Sequence, residues 1–147
     1  MYMNTLMELG TSCKIYSIYG EEIDGRRKEL EEMLAPAFAC AHGELGPKEA
    51  LELCVEGKAW CFVGEINEKL TALLIAEFMQ FPLLRALNIL AYAGDARSFY
   101  QFGQVLETWG KLNGASEIRG YGGEAQMRLA RRVHGFKEIY RVYAKPI

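Results

Sequence analysis

Closely spaced cysteine pairs are missing from this sequence, which argues against the metal and redox motifs that such pairs often form. The 147 residues contain four cysteines, and none of them stands in a CxxC pair, which disfavours a zinc site and a thioredoxin-like motif. In a reducing compartment, isolated thiols are most simply small buried hydrophobic groups. We therefore expect no metal cofactor, and buried thiols at Cys13, Cys40, Cys54 and Cys61.

Long apolar runs and an excess of positive charge are also missing. The longest apolar run, LTALLIAEFMQFPLL, is interrupted by Glu77 and Pro82, whereas a membrane helix needs about 20 apolar residues. The N-terminal sequence MYMNTLMELG lacks the basic and apolar regions of a signal peptide. A net charge of -2 and a pI near 5.8 disfavour a nucleic-acid partner bound through a basic surface. These absences predict a cytoplasmic protein with no membrane partner and no nucleic-acid partner.

The composition that is present is that of one globular domain. Hydrophobic residues make up 50% of the chain and charged residues 24%, which is typical of a protein that buries a single core. No repeat and no low-complexity segment divides the sequence. We expect one domain over residues 1–147, with residues 1–12 as a loose lead-in.

The front half of the chain combines helical segments with a run of strands. Residues of high β propensity predict a strand from Cys13 to Gly20. Apolar residues at helical spacing then predict a helix from Glu21 to about His42, in which Pro36 either kinks the helix or starts a new turn. Pro47 is well placed to begin a second helix. Three apolar segments predict an antiparallel meander: WCFVGEI, LTALLIAEFMQF and ALNILAYAG.

The back half predicts two helices that alternate with strands. Asp95 follows Gly94 and can cap a helix from about Ala96 to Leu112, whose apolar stripe predicts that it lies on the sheet. The segment SEIRGYG is predicted to run parallel to ALNILAYAG, because a crossover through a helix favours parallel pairing. GEAQMRLARRVHG predicts a second amphipathic helix, and FKEIYRVYAKPI alternates as a last strand. The whole order predicts an α+β fold with a central mixed sheet flanked by helices.

This order of elements resembles the GNAT superfamily of acetyl-CoA-dependent N-acetyltransferases over nearly the whole chain. The ending HGFKEIYRVYAKPI is similar to the end of that family, where a helix finishes in a Gly-Phe pair before the final strand. The front segment GELGPKEALELCVEGKAW and the closing KPI resemble small GNAT-like proteins of tailed phages and prophages. The resemblance implies acetyl-CoA as the cofactor, and an amine acceptor that is either a small molecule or a protein.

The resemblance also implies that the turn after the fourth strand binds the CoA pyrophosphate. In the family this turn carries an Arg/Gln-x-x-Gly-x-Gly/Ala motif, whose amides approach the phosphates at the positive end of a helix dipole. The matching positions here keep the Gly-x-Ala half, have Ala91 in place of Arg/Gln, and add an aspartate that competes for the amides and repels a phosphate. The cofactor-binding residues implied are Ala93, Gly94, Asp95, Ala96, Arg97 and Ser98.

Catalysis in the family often uses a glutamate or a water molecule as the base, and a tyrosine on the last helix as the acid. Glu77 is the candidate base, because an acidic residue inside an apolar strand is a candidate for a functional site. The alternative is that Glu77 is solvated at the end or edge of its strand. The family's tyrosine falls at Arg131, so Tyr140 on the last strand is the candidate acid.

Four other groups are alternatives for these two roles. Tyr121 and Tyr143 could replace the missing acid, although strand tyrosines more often pack with their hydroxyl groups at the surface. Glu65 and His134 are weaker candidates for the base, because one lies near a hairpin turn and the other at the end of a helix.

Two functions are therefore open from the sequence. The first is a GNAT-type N-acyltransferase with a degenerate pyrophosphate turn. The alternative is a catalytically inactive GNAT-like phage protein, virion-associated or in the host cytoplasm, that serves as an interaction module. In that case the aromatic residues Trp60, Phe81 and Tyr100 would line an interface with a phage or host protein.

Overall fold

The structure is a computed structural model that describes residues 7–9, 13–39 and 41–147. The strands are β1 (Met7–Leu9), β2 (Cys13–Ile18), β3 (Trp60–Ile66), β4 (Lys69–Gln80), β5 (Arg85–Ala93) and β6 (Glu117–Gly120). The helices are α1 (Gly20–Gly25), α2 (Arg27–Phe38), α3 (Pro47–Val55), α4 (Ala96–Leu112) and α5 (Glu124–His134).

In the part of the chain that is described, the strands form one sheet in the order β1-β2-β3-β4-β5-β6. Neighbouring strands from β1 to β5 are antiparallel, and β6 is parallel to β5. The predicted meander and the predicted parallel crossover are confirmed. The fold is the predicted α+β arrangement, a mixed sheet flanked by helices.

The two faces of the sheet carry separate cores, because successive side chains of a strand point to opposite faces. Helices α1–α3 cover one face, where Leu30, Leu34 and Leu51 are buried. Helix α4 covers the other face, where Phe102 and Leu106 are buried. The central strand β4 contributes to both cores through alternate residues: Leu73 and Ile75 on the α1–α3 face, and Leu74 and Ala76 on the α4 face.

The helix ends follow the local sequence, with one correction. Pro47 begins α3 and Asp95 caps α4, as predicted. The predicted single helix from Glu21 to His42 is wrong, because it breaks after Gly25 and ends at Phe38. The break places Arg26 in a non-helical conformation, with φ -123° and ψ 12°, from which its side chain reaches β2 and β3. Glycine is a poor helix former, whereas Pro36 is accommodated inside α2.

The two ends of the chain differ from the sequence predictions. Met7–Leu9 forms a strand paired with β2, within the stretch predicted to be a loose lead-in; the rest of residues 1–12 lies outside the described residues. The predicted last strand is wrong, because residues 135–147 form no helix or strand. Val142 and Tyr143 are 77% and 87% exposed there. The alternation of apolar and polar residues is a local property, but a strand also needs the backbone of a neighbouring strand as its hydrogen-bond partner. The edge strand β6 offers only four residues for such pairing.

Two of the four cysteines can be compared with their prediction. Cys54 and Cys61 are buried free thiols, as predicted. A hydrogen bond with Cys54 and burial both raise the pKa of the Cys61 thiol, so that it stays protonated and packs as a hydrophobic group. The predictions for the side chains of Cys13 and Cys40 fall outside what the structure describes.

Candidate functional site

The sheet opens between its two parallel strands. Pairing of β5 with β6 runs from Ala86 opposite Glu117 to Ile89 opposite Gly120. Beyond Ile89, β5 continues to Ala93 while β6 has ended. The pairing of β5 with β4 also shifts register at this point, as at a β-bulge, which bends a strand and increases its twist. Beside residues 90–93, one edge of β5 therefore has no neighbouring strand among the described residues, and we call the gap along this edge the cleft.

The turn that follows β5 requires glycine at residue 94. Gly94 has a φ of 150°, which side chains other than hydrogen rarely allow. A Cβ atom at this position would lie 2.6 Å from the Tyr92 hydroxyl oxygen and 2.9 Å from the Ala72 Cβ. The chain thus passes close to its own core at the point where α4 begins.

Asp95 caps the N-terminus of α4. Its carboxylate accepts a hydrogen bond from the Ser98 amide at 2.7 Å, while its carbonyl oxygen accepts one from the Tyr92 hydroxyl at 2.7 Å. The Ser98 amide lowers the pKa of Asp95. Burial, followed by the nearby charge of Asp95, raises the pKa of Tyr92 above its ordinary value. This confirms the predicted N-cap and shows that one amide of the helix N-terminus is already occupied.

Two more amides at the start of α4 have the donor chemistry that a phosphate group needs. Among the described residues, the amides of Ala96 and Arg97 have no hydrogen-bond partner, and they stand at the positive end of the helix dipole. A pyrophosphate fits these two donors and the positive side chain of Arg97. The Asp95 carboxylate stands beside them and is only slightly buried, so it opposes a ligand of the same sign. The donor chemistry of these residues fits a phosphate group such as that of CoA, and the charge of Asp95 opposes it.

A polar row crosses the sheet at its opposite end, on the α1–α3 face. Glu77 of β4 lies opposite Asn88 of β5, and Asn88 lies opposite Arg119 of β6. Residues that stand opposite each other in neighbouring strands project from the same face. We call these three residues the polar row. It lies at the closed end of the cleft, where β5 and β6 are still paired.

Asn88 is the buried centre of the polar row. The residue is 2% exposed, and its amide nitrogen donates to Glu77 Oε1 at 3.2 Å. Its carbonyl oxygen, Oδ1, is buried and has no hydrogen-bond partner among the described residues. An unsatisfied buried acceptor of this kind costs about 1 to 3 kcal/mol. The polar row therefore carries a buried acceptor to which no described residue donates.

Arg119 links the polar row to the segment after α5. Its guanidinium lies 4.8 Å from the centre of the Phe81 ring and forms an ion pair with Glu117, with Nε 2.8 Å from Oε2. This hydrogen bond raises the pKa of Arg119. Its Nη1 donates to the Tyr140 hydroxyl at 3.3 Å. The structure thus brings Tyr140 to the same end of the sheet as Glu77, although Tyr140 is not on a strand.

The other predicted groups lie elsewhere. Glu65 accepts a hydrogen bond from Tyr16, and its Oε1 lies 3.6 Å from Arg26 Nη1, so it belongs to an internal ion pair rather than an exposed turn. His134 packs against Gly103 on the α4 face, with its Nε2 3.0 Å from the Phe99 carbonyl oxygen. Neither residue is part of the polar row.

The aromatic residues considered for an interface divide into two groups. Trp60 packs inside an aromatic cluster, with its ring centre 5.5 Å from Trp109 and 5.3 Å from Phe78, and Phe81 lies under Arg119. Tyr100 is 47% exposed but stacks on His134. The core explains Trp60 without a partner protein.

Sequence reasoning identified one member of the polar row and missed two. Glu77 was visible as an acidic residue in an apolar strand. Asn88 stands in the same kind of setting, within ALNILAYA, and the same signal could have found it. Arg119 could not be found from sequence, because its role depends on the register between β5 and β6.

Comparison with solved structures identifies the fold as that of the GNAT acetyltransferases. An aminoglycoside acetyltransferase, meta-AAC0020, from an uncultured soil metagenomic sample, in complex with sisomicin, has a TM-score of 0.69 and 12% identity, covering 95% of this chain and 100% of that chain. A GNAT family acetyltransferase of Staphylococcus aureus has a TM-score of 0.66 and 13% identity, covering 93% and 100%.

A ribosomal-protein-alanine N-acetyltransferase of Brucella melitensis biovar Abortus has a TM-score of 0.63 and 13% identity, covering 92% of this chain and 99% of that chain. No family model and no curated protein matches the chain. At such low identity the likeness concerns the fold alone. Among the described helices, none is long and apolar enough to cross a membrane.

Proposed function

We propose that this protein is a GNAT-type N-acyltransferase that transfers an acetyl group from acetyl-CoA to an amine, which is carried by a small molecule or a protein. The observation that carries the proposal is the cleft between β5 and β6, which ends at a polar row with an unused buried acceptor. A scaffold that needed only stability would replace such an acceptor by an apolar group. The fold supports the same function.

The donor would bind along the cleft and at the start of α4. The free edge of residues 90–93 would accept an extended ligand as a neighbouring strand does. The Ala96 and Arg97 amides would hold the pyrophosphate, and the negative charge of Asp95 would weaken its binding. The donor supplies an acetyl thioester, and the transfer forms a C–N bond and breaks the C–S bond. The amine loses a proton, and the thiolate gains one.

The roles of Glu77 and Tyr140 in these proton transfers stay predictions. Tyr140 is 57% exposed, and its hydroxyl accepts a hydrogen bond from Arg119 Nη1 at the same end of the sheet as Glu77. Glu77 is partly buried at the other end of the polar row. Both groups border the closed end of the cleft, where an acyl group would have to lie.

A catalytically inactive interaction module of a phage is the second candidate. Asp95 opposes phosphate binding, and the exposed residue Arg131 stands where the family has its tyrosine. The segment after α5 exposes apolar side chains, including Val142 and Tyr143, and exposed apolar groups are typical of surfaces that bind a partner. This candidate predicts no response to acetyl-CoA.

Titration with acetyl-CoA separates the two functions. The enzyme is expected to bind acetyl-CoA in calorimetry and to gain thermal stability with rising concentration, because a ligand that binds only the folded state stabilises it. Asp95→Asn keeps the helix cap while removing one negative charge, so we expect it to bind acetyl-CoA about fivefold more tightly. No binding by either protein would contradict the enzyme and leave the interaction module.

A further inference from the structure

We propose that the Asn88 carbonyl oxygen accepts an N–H group of the acceptor amine, and that Glu77 is a positioning residue that holds the Asn88 side chain in this orientation. The inference rests on the proposed function and extends it. It also changes the role predicted for Glu77, from the base to the group that orients the residue in contact with the amine.

The orientation of the Asn88 amide follows from its hydrogen bond with Glu77. A carboxylate only accepts hydrogen bonds, and in an asparagine only the nitrogen can donate. Because the Asn88 nitrogen donates to Glu77 Oε1 at 3.2 Å, the carbonyl oxygen of the same amide points away from β4. Its in-register neighbour on the other side is Arg119 of β6, where the closed end of the cleft lies.

The ligand that suits this oxygen must bring a hydrogen-bond donor. Oδ1 is buried and without a partner among the described residues, so it can only gain from a molecule that carries N–H or O–H. An acceptor amine approaching the thioester has such an N–H. An amide oxygen is too weakly basic to take the proton itself, so Asn88 only orients the nitrogen lone pair toward the acyl carbon. The proton that the amine loses passes to solvent water.

The charges around the polar row favour an amine donor over an anion. Glu77 contributes a carboxylate on one side of Asn88. On the other side, the charge of Arg119 is balanced by Glu117, with Nε 2.8 Å from Oε2. A positively charged or neutral amine can therefore bind at Asn88. A carboxylate ligand cannot, because its oxygens and Asn88 Oδ1 are all hydrogen-bond acceptors.

Variants of Glu77 distinguish a positioning role from a base. With acetyl-CoA and n-butylamine as substrates, Glu77→Gln is expected to keep kcat/KM within about threefold of the unaltered protein, because a glutamine oxygen still accepts from Asn88. Glu77→Leu and Asn88→Leu are each expected to lose about tenfold or more. If Glu77→Gln loses as much as Glu77→Leu and also changes the pH–rate profile, Glu77 is a base and the inference is wrong.

A binding experiment without acetyl-CoA tests the contact itself. The side-chain NH2 signals of Asn88 are assigned in a ¹⁵N spectrum by their disappearance in Asn88→Leu. We expect them to move on addition of n-butylammonium but not of butyltrimethylammonium, which has the same charge and no N–H. Equal movement with both salts, or movement with neither, would overturn the inference.

The two experiments keep the inference separate from the proposed function. If the unaltered protein binds no acetyl-CoA, the proposed function fails, and the spectra of Asn88 still decide whether an amine donates to this oxygen. If acetyl-CoA binds and is turned over while Asn88→Leu keeps its kcat/KM and its acetyl-CoA affinity, the inference fails alone.

Discussion

The turn at the start of α4 and the polar row at the other end of the cleft differ in whether their polar groups have hydrogen-bond partners. In the turn, the Asp95 carboxylate caps the Ser98 amide and Tyr92 donates to the Asp95 carbonyl oxygen. In the polar row, the Asn88 oxygen is buried with no partner among the described residues. The polar groups named in the turn are satisfied within the chain, whereas the polar row keeps a buried acceptor without a partner among the described residues.

This difference separates polar groups that serve the fold from polar groups that are candidates for binding a ligand. Groups that serve only the fold are expected to be satisfied by the fold, and groups that serve a ligand are often left unsatisfied without it. On that criterion, the polar row would belong to the proposed acceptor site, and the turn at the start of α4 would bind the pyrophosphate of the proposed donor less well.

The largest expected effect is at Gly94. Gly94→Ala should lower the free energy of unfolding by about 3 kcal/mol, because it combines an unfavourable φ with a Cβ atom too close to Tyr92 and Ala72. Urea unfolding measures this, with Gly20→Ala as the control, since a Cβ there meets nothing within 4 Å. Equal stability of the two variants would show that the turn is not under this constraint.

The cap of α4 is expected to have a smaller effect. Asp95→Ala should lower the free energy of unfolding by about 1 kcal/mol, because the Ser98 amide loses its acceptor. Asp95→Asn should stay close to the unaltered protein, since asparagine caps a helix about as well as aspartate. The same urea unfolding measurement applies, and a stable Asp95→Ala protein would mean that the cap does not stabilise this turn.

The polar row is expected to respond in the opposite direction. Asn88→Leu should raise the free energy of unfolding by about 1 kcal/mol, because leucine has the branched shape of asparagine without an unsatisfied acceptor. Glu77→Leu is the matched control and should lower it, since it leaves the Asn88 nitrogen unpaired as well. A destabilised Asn88→Leu protein would remove the contrast between the two regions.

The smallest effect is a dependence on pH at the turn. The folded protein lowers the pKa of Asp95 below its ordinary value of 3.8, so the stability it contributes is present above that value and is lost as the pH falls through the folded pKa. The difference in unfolding free energy between the unaltered protein and Asp95→Ala should therefore decrease below about pH 4. It would be measured by urea unfolding at a series of pH values, and a constant difference would contradict the shift.

Much of the fold could be predicted because its signals are local. The apolar runs of β3, β4 and β5, the proline that begins α3 and the aspartate that caps α4 each act through neighbours in sequence. The same local reasoning failed at residues 135–147, where the alternation of FKEIYRVYAKPI is strand-like but no strand pairs with it among the described residues.

The sequence by itself determined most of the elements, their order and the residues of the turn at the start of α4, including the aspartate that caps it, because helix caps and turns depend on residues a few positions apart. Only the tertiary structure decided that Glu77, Asn88 and Arg119 form one row and that Tyr140 reaches it. These residues are far apart along the chain, and strand register and burial bring them together. Neither can be read from one segment alone.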